Sequence, residues 1–181
     1  MSNDGKNNRA QELFRAAQDK FFQGMEGEAA ELLEEVVKLG EACKIDPQDH
    51  KLLMLSHRNL GLIYVDLDWY WKAIDHYEKA LELGATKDNL LCRNLGYCYF
   101  DQDKFEEAIE YLRDAVGFNG KDARARYFLG WSYVELSECD NKPDLMRVAR
   151  EQLDALKALS SGLSTQLEER IERNNRLRIR G

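Results

Sequence analysis

The chain has 181 residues, 44% of them apolar and 33% charged, and a formal charge of -7 at pH 7. That length fits one ordinary domain, and so polar a composition leaves no membrane span. The acidic balance offers no positive footprint for nucleic acid or anionic lipid, and Cys43, Cys92, Cys98 and Cys139 are scattered without a C-x-x-C, so the expected protein is cytoplasmic, with reduced thiols and neither nucleic-acid nor membrane partners.

Residues 1–8 are polar and lack the apolar stretch of a signal peptide, which predicts a disordered tail. Only 2 prolines occur and no Ser- or Pro-rich tract interrupts the rest, so 9–181 is expected to be a single helical domain. Gln11 to Gln23 reads as a first helix. Ala29 to Ile45, stopped by Asp46-Pro47, reads as a long second one, with Phe21, Phe22, Ala30, Leu33 and Val37 as the apolar positions of a degenerate pair.

From there the chain repeats itself. Leu60-Gly61, Tyr64, Ala73, Tyr77 and Ala80 are followed 35 residues later by Leu95-Gly96, Tyr99, Ala108, Leu112 and Ala115, and Leu129-Gly130 and Tyr133 follow after 34 more. Within each copy apolar residues return every three or four positions, the period of an amphipathic helix. Short turns at Asp68-Trp69 and Gln102-Asp103-Lys104 make neighbouring helices antiparallel. Gly61, Gly96, Ala73 and Ala108 are small where two helices must come close, and Tyr64, Tyr99 and Tyr133 are expected to fill the space between hairpins. In the third copy Tyr133 and Ala149 are 16 residues apart, where the earlier copies have 9. The loop from Ser137 to Asp144 is expected to absorb the excess, with Pro143 in the first turn of the next helix. Leu163, Leu167 and Ile171 mark a terminal capping helix, and Arg170, Arg173, Arg176, Arg178 and Arg180 give its end a local positive charge.

The Leu-Gly, aromatic, Ala, large, Ala order at this period resembles the tetratricopeptide repeat. The resemblance implies an all-α fold: a right-handed superhelical array of antiparallel helix pairs, with three clear units, a degenerate N-terminal unit and a C-terminal cap. It implies a non-enzymatic adaptor for a peptide segment or helix of another protein. A small chaperone keeping a client soluble and a scaffold subunit of an assembly, including a homo-oligomer, are the alternatives.

No residue set suggests catalysis. His50, His57 and His76 lack metal-ligand spacing, and there is no phosphate loop or nucleophile motif, so no metal or cofactor is expected and His57 reads as a packed helix residue. In a solenoid the first helices line the inner face, and residues four, seven and eight apart share a stripe. Those stripes are Arg58, Leu62, Val65 and Asp66, then Arg93, Tyr97, Phe100 and Asp101, then Tyr127, Trp131, Val134 and Glu135 preceded by Arg124, with Arg15, Asp19 and Phe22 in the degenerate unit. Arginine suits carboxylates and aromatic rings suit buried anchors. Asn59 and Asn94 repeat in an R-N-L-G string and offer an amide to a peptide backbone; Phe128 breaks that ladder. The expected peptide-binding residues are therefore Arg58, Asn59, Arg93, Asn94, Tyr97, Phe100, Arg124, Tyr127 and Trp131. The resemblance also admits a carboxylate clamp from Arg58, Asn94 and Arg124, incomplete because Leu62 and Phe128 replace an amide and a base.

Overall fold

Among the described residues, five helix ends are made by single residues in the left-handed backbone region. Gly24 (φ 73°), Asp68 (58°), Gly84 (93°), Asp103 (57°) and Ser160 (52°) each stand just past a helix. In each case the next N–H reaches back to the helix: Met25 to the Lys20 carbonyl at 3.0 Å, Trp69 to Tyr64 at 2.8 Å, Ala85 to Ala80 at 2.9 Å, Lys104 to Tyr99 at 3.0 Å and Ser161 to Leu156 at 3.2 Å. This closure satisfies carbonyls that the last turn would otherwise orphan. Asp68 and Asp103 are the same position in successive repeats, so the turn chemistry recurs with the core pattern.

The computed structural model describes residues 3–41, 47–139 and 142–180, and among them no strand occurs. The chain packs as two compact units, Met1–Lys87 and Asp88–Gly181. The first unit holds α1 (Asn3–Phe22), α2 (Glu26–Glu41), α3 (Pro47–Asp66) and α4 (Tyr70–Glu82). They form the hairpins α1/α2 and α3/α4, joined where α2 packs on α3. The second unit holds α5 (Asn89–Asp101), α6 (Phe105–Phe118), α7 (Ala123–Cys139), α8 (Pro143–Ala158) and α9 (Leu163–Arg180). Its hairpins are α5/α6 and α7/α8, joined by α6 on α7, and α9 lies against both α7 and α8.

Small residues hold each hairpin closed. A Cβ added at Gly61 would stand 2.8 Å from the Tyr77 ring, and one at Gly96 would stand 2.6 Å from Leu112 Cγ and 3.2 Å from the Ala108 carbonyl. Ala73 and Ala108 are fully buried beside them. Gly130 keeps the rule with a different partner, since its missing Cβ would meet Leu167 of α9 at 2.6 Å. The terminal helix thus sits as closely on α7 as the second helix of each earlier hairpin sits on its first, burying Leu167 and Ile171 with Val134, Ala149 and Leu156.

Several expectations need amendment. The supposed tail is helical from Asn3 onward, while Met1 and Ser2 lie outside the described residues. Residues 9–181, read as one domain, fall across the two compact units Met1–Lys87 and Asp88–Gly181, and the repeat period runs through the point where they divide. The second helix of the degenerate pair is described from Glu26 to Glu41, and the rest of its expected span to Ile45 lies outside the described residues. Most of the supposed loop from Ser137 to Asp144 is helix: α7 runs to Cys139 and α8 starts at Pro143, with 140 and 141 outside the described residues. Ser137 donates to the Lys142 carbonyl at 3.0 Å, which ties the two helices together across the joint. Tyr64 packs inside its own hairpin, stacked on His76 at 5.3 Å, while its hydroxyl reaches Glu34 of α2. Tyr99 does the same with Tyr111 at 5.6 Å.

Two polar arrangements join hairpins from within. Asp122 caps α7 by accepting the Ala125 N–H at 3.0 Å, and its other oxygen accepts from Asn89 and Arg93 of α5, both at 3.0 Å. Burial pushes this carboxyl up, but those donors and the Arg93 charge outweigh it and hold the group below the usual carboxylate range. In the first unit His57 and His76 bring their Nδ1 atoms to 2.9 Å, so one proton at most lies between them. Burial, then the neighbouring His76, pushes His57 down to about 4.

Three outcomes follow from this packing. Gly96→Ala is expected to lower stability by roughly 1–3 kcal/mol despite its better helix propensity, whereas Gly117→Ala in α6, whose Cβ would meet nothing within 4 Å, gains up to about 1 kcal/mol; urea midpoints compare them. Asp122→Asn removes a cap and unbalances a buried ion pair, at a cost of roughly 2–4 kcal/mol at pH 7. The lowered pKa makes the wild type's advantage full above pH 4 and lost as pH falls further. His57 acts with the same sign in the adjacent, higher window: the unfolded chain takes up a proton below pH 6.5 that the folded chain refuses until about 4. Stability should therefore fall by about 2 kcal/mol between pH 7 and pH 5 from this residue alone, and His57→Leu should flatten that slope in denaturation series.

Candidate functional site

The leading helices place the candidate residues differently in the two units. In the first, α1 and α3 flank a cleft of about 160 Å³. Its walls are apolar, from Phe21, Phe22, Leu62 and Ile63, and the amides of Gln18 and Asn59 stand among them. Phe22 ends α1 with 84% of its surface exposed, beside Phe21 at 6.3 Å in an edge-on pair. The Gly24 turn that follows prevents the helix from running on and leaves that ring at the rim. An apolar slot with two amides at its edge can accept a large side chain and bind the backbone beside it. Asn59, one of the expected peptide-binding residues, lines this cleft. Arg58, next to it on α3, is half-buried, and Arg15 and Asp19 of α1 are exposed.

In the second unit α5 and α7 pack side by side, and their rings interlock. Phe128 is the hub, 4.7 Å from Tyr97, 5.2 Å from Phe100 and 5.1 Å from Tyr127. Trp131 meets Phe100 at 5.2 Å and Tyr127 at 5.4 Å, and Phe105 of α6 closes the far side at 5.8 Å from Phe100. Tyr97, Phe100, Tyr127 and Trp131 are therefore brought together as their spacing suggests. Their roles divide. Tyr127 is only 7% exposed and belongs to the core under α9, where burial pushes its phenol up. Tyr97, Phe100 and Trp131 stay half-buried and form the accessible part of the ridge.

The charged edges of the stripes are largely engaged within the fold. Arg93 is spent on Asp122, as described above. Glu135 accepts both Trp131 Nε1 and the Arg170 guanidinium of α9, and that guanidinium also lies 5.8 Å from the Trp131 ring. Val134 is fully buried. The third stripe, read as an open inner face, is in this part a seam beneath α9. Asn94 is 8% exposed and belongs to the interior of its unit, so the paired asparagines do not present equal amides. Arg124 is exposed in the first turn of α7.

Sequence reasoning missed Gln18 and Phe21 as cleft residues and treated Phe128 as a gap in the amide ladder. Only the aromatic pair Phe21-Phe22 at the end of a helix gave a usable signal, because a helix can bury one of two adjacent side chains fully but not both on the same face. No helix among the described residues is long and apolar enough to cross a membrane, and no group of three His, Cys, Asp or Glu among them could hold a metal ion.

Comparison with known proteins agrees with the helical-hairpin fold. The model of the family described as anaphase-promoting complex, cyclosome, subunit 3 matches residues 66–141. No curated protein sequence matches the chain. Among solved structures, a tetratricopeptide repeat protein from Parabacteroides merdae is similar with a TM-score of 0.69 at 20% identity, over 93% of this chain. This chain spans only 60% of that protein's length. The C-terminal tetratricopeptide-containing domain of a Plasmodium falciparum FK506-binding protein gives 0.68 at 22% identity, over 78% of this chain and 97% of that one. YrrB, described as a tetratricopeptide repeat protein with an unusual peptide-binding site, gives 0.59 at 18% identity, over 90% and 84%. Helical hairpins closed on recurring glycines, repeated turn caps and these likenesses agree on one architecture: the chain is built from tetratricopeptide-type helical repeats.

Proposed function

We propose that this protein is an interaction adaptor that binds a peptide segment or helix of another protein on the faces of its leading helices. The observation that carries the reading is the slot between α1 and α3, apolar inside and edged by Gln18 and Asn59. An exposed aromatic ring beside a preformed apolar recess is the arrangement of a binding anchor, because closing it removes apolar surface from water at about 25 cal/mol per Å². The ridge of Tyr97, Phe100 and Trp131 is a second contact face of the same kind, with Arg124 available to a carboxylate. That one of the similar structures is described as having a peptide-binding site lends support to the class of ligand. The role is non-catalytic on this reading, since the faces offer amides, rings and guanidinium groups for binding.

The test is selection of peptides from a displayed random library on the wild-type protein, followed by affinity measurement on variants. Asn59→Ala and Phe22→Ala should each weaken the selected peptides by roughly tenfold or more, while Arg147→Ala, on the exposed side of α8, leaves binding unchanged. Selected peptides that bind all four proteins equally would remove the first cleft from the account.

A further inference from the structure

The start of α4 departs from the repeat in a way that the core does not require. In the second unit the corresponding stretch is Lys104, Phe105, Glu106 and Glu107, and those two glutamates stand in the first turn of α6 where a helix favours negative charge. In the first unit the same positions are Trp69, Tyr70, Trp71 and Lys72. The first turn of α4 carries no acidic residue, and the Trp69 cap makes no side-chain hydrogen bond. A lysine there faces the positive end of the helix dipole, an unfavourable place for a cation.

Rings offset that cost. The Lys72 ammonium lies 4.4 Å from the centre of the Trp69 ring, 5.0 Å from Tyr64 and 5.5 Å from Trp71, all within the range of cation–π attraction. Among the described residues no carboxylate lies within salt-bridge distance of it. Trp69 and Tyr64 stack at 5.7 Å with their planes 21° apart, and Tyr64, only 1% exposed, is stacked in turn on His76, so Tyr64 is the buried floor beneath Trp69. Trp69 is 48% and Trp71 60% exposed, which keeps the opening accessible. In the second unit a lone lysine, Lys104, covers Tyr99 at 5.6 Å, and the positions of both tryptophans are taken by Lys104 and Glu106. The first unit has therefore gained two exposed rings around one ammonium.

We infer that Trp69 and Trp71, above the buried ring of Tyr64, form a binding site for an alkylated ammonium group on a partner polypeptide, of the methylated-lysine class, and that Lys72 occupies it as the resident competitor. The chain's own ammonium shows which chemistry the rings hold. An alkylated ammonium has the same charge with weaker hydration, so it gives up less on entering among the rings. Lys72 leads from the adjacent turn and can swing out to solvent, leaving the rings in place. The site lies on α3 and α4 of the first unit, apart from the α1/α3 cleft, and does not depend on a peptide being held there.

Tetramethylammonium chloride is the probe, against sodium chloride at matched ionic strength, with the three tryptophan indole N–H signals followed by NMR. In Lys72→Ala the Trp69 and Trp71 signals should shift saturably, at least tenfold tighter than in wild type, while Trp131 stays still. Adding Trp71→Ala to Lys72→Ala should abolish saturation; this exposed position spares the fold even if Trp69→Ala does not. A peptide carrying trimethyllysine should bind Lys72→Ala better than its unmodified twin, and phosphatidylcholine vesicles should not. Linear, equal responses in wild type and Lys72→Ala would overturn the site, and binding to the vesicles in place of the peptide would overturn the polypeptide partner.

Discussion

Close approach of two helices over a glycine is the constraint from which the rest of the structure follows. At Gly61, Gly96 and Gly130 the neighbouring side chain occupies the volume where a Cβ would stand. A hairpin closed this tightly fixes which side of each leading helix is buried against its partner. The opposite stripe, carrying Asn59 and Leu62 on α3 or Tyr97 and Phe100 on α5, is then left for other contacts. The binding faces are in this sense a by-product of core geometry, and their chemistry is free to vary as long as the glycines and their large partners stay.

The same constraint explains how the second unit ends. Leu167 of α9 fills the place over Gly130 that Tyr77 and Leu112 fill within the earlier hairpins. Arg170 and Asn174 then reach Glu135 and Glu138 of α7. These pairs span 35 and 36 residues, close to the repeat period, while over Gly130 Leu167 stands where the earlier units use the second helix of the same hairpin. Arg170 therefore acts within the fold.

Legibility in the sequence tracked how local the physics was. Leu60-Gly61 through Ala80, and its copy from Leu95-Gly96 through Ala115, were readable because one period sets both the helix and its buried face. The ring cluster of Tyr97, Phe100, Tyr127 and Trp131 was readable for the same reason. What spacing could not supply was competition for side chains. Arg93 reads as a peptide-binding residue until Asp122, 29 residues away, is found at its guanidinium. Tyr127 and Val134 look exposed until α9 covers them, and Asn94 matches Asn59 in sequence while being buried. The extra length between Tyr133 and Ala149 was visible, but helical extension and loop insertion leave the same count. Lys72 was passed over because a lysine beside tryptophans on a surface turn carries no period at all.

The reading of this chain as a peptide-holding adaptor rests on the α1/α3 slot being the place where a ligand sits. Hydrogen exchange followed by mass spectrometry, with and without a saturating library-selected peptide, tests that most directly. The account predicts slower exchange in the second half of α1 and around Asn59 in α3, with α8 unchanged. Protection confined to α8, α9 or the outer side of α6, with α1 and α3 exchanging as in the free protein, would contradict it.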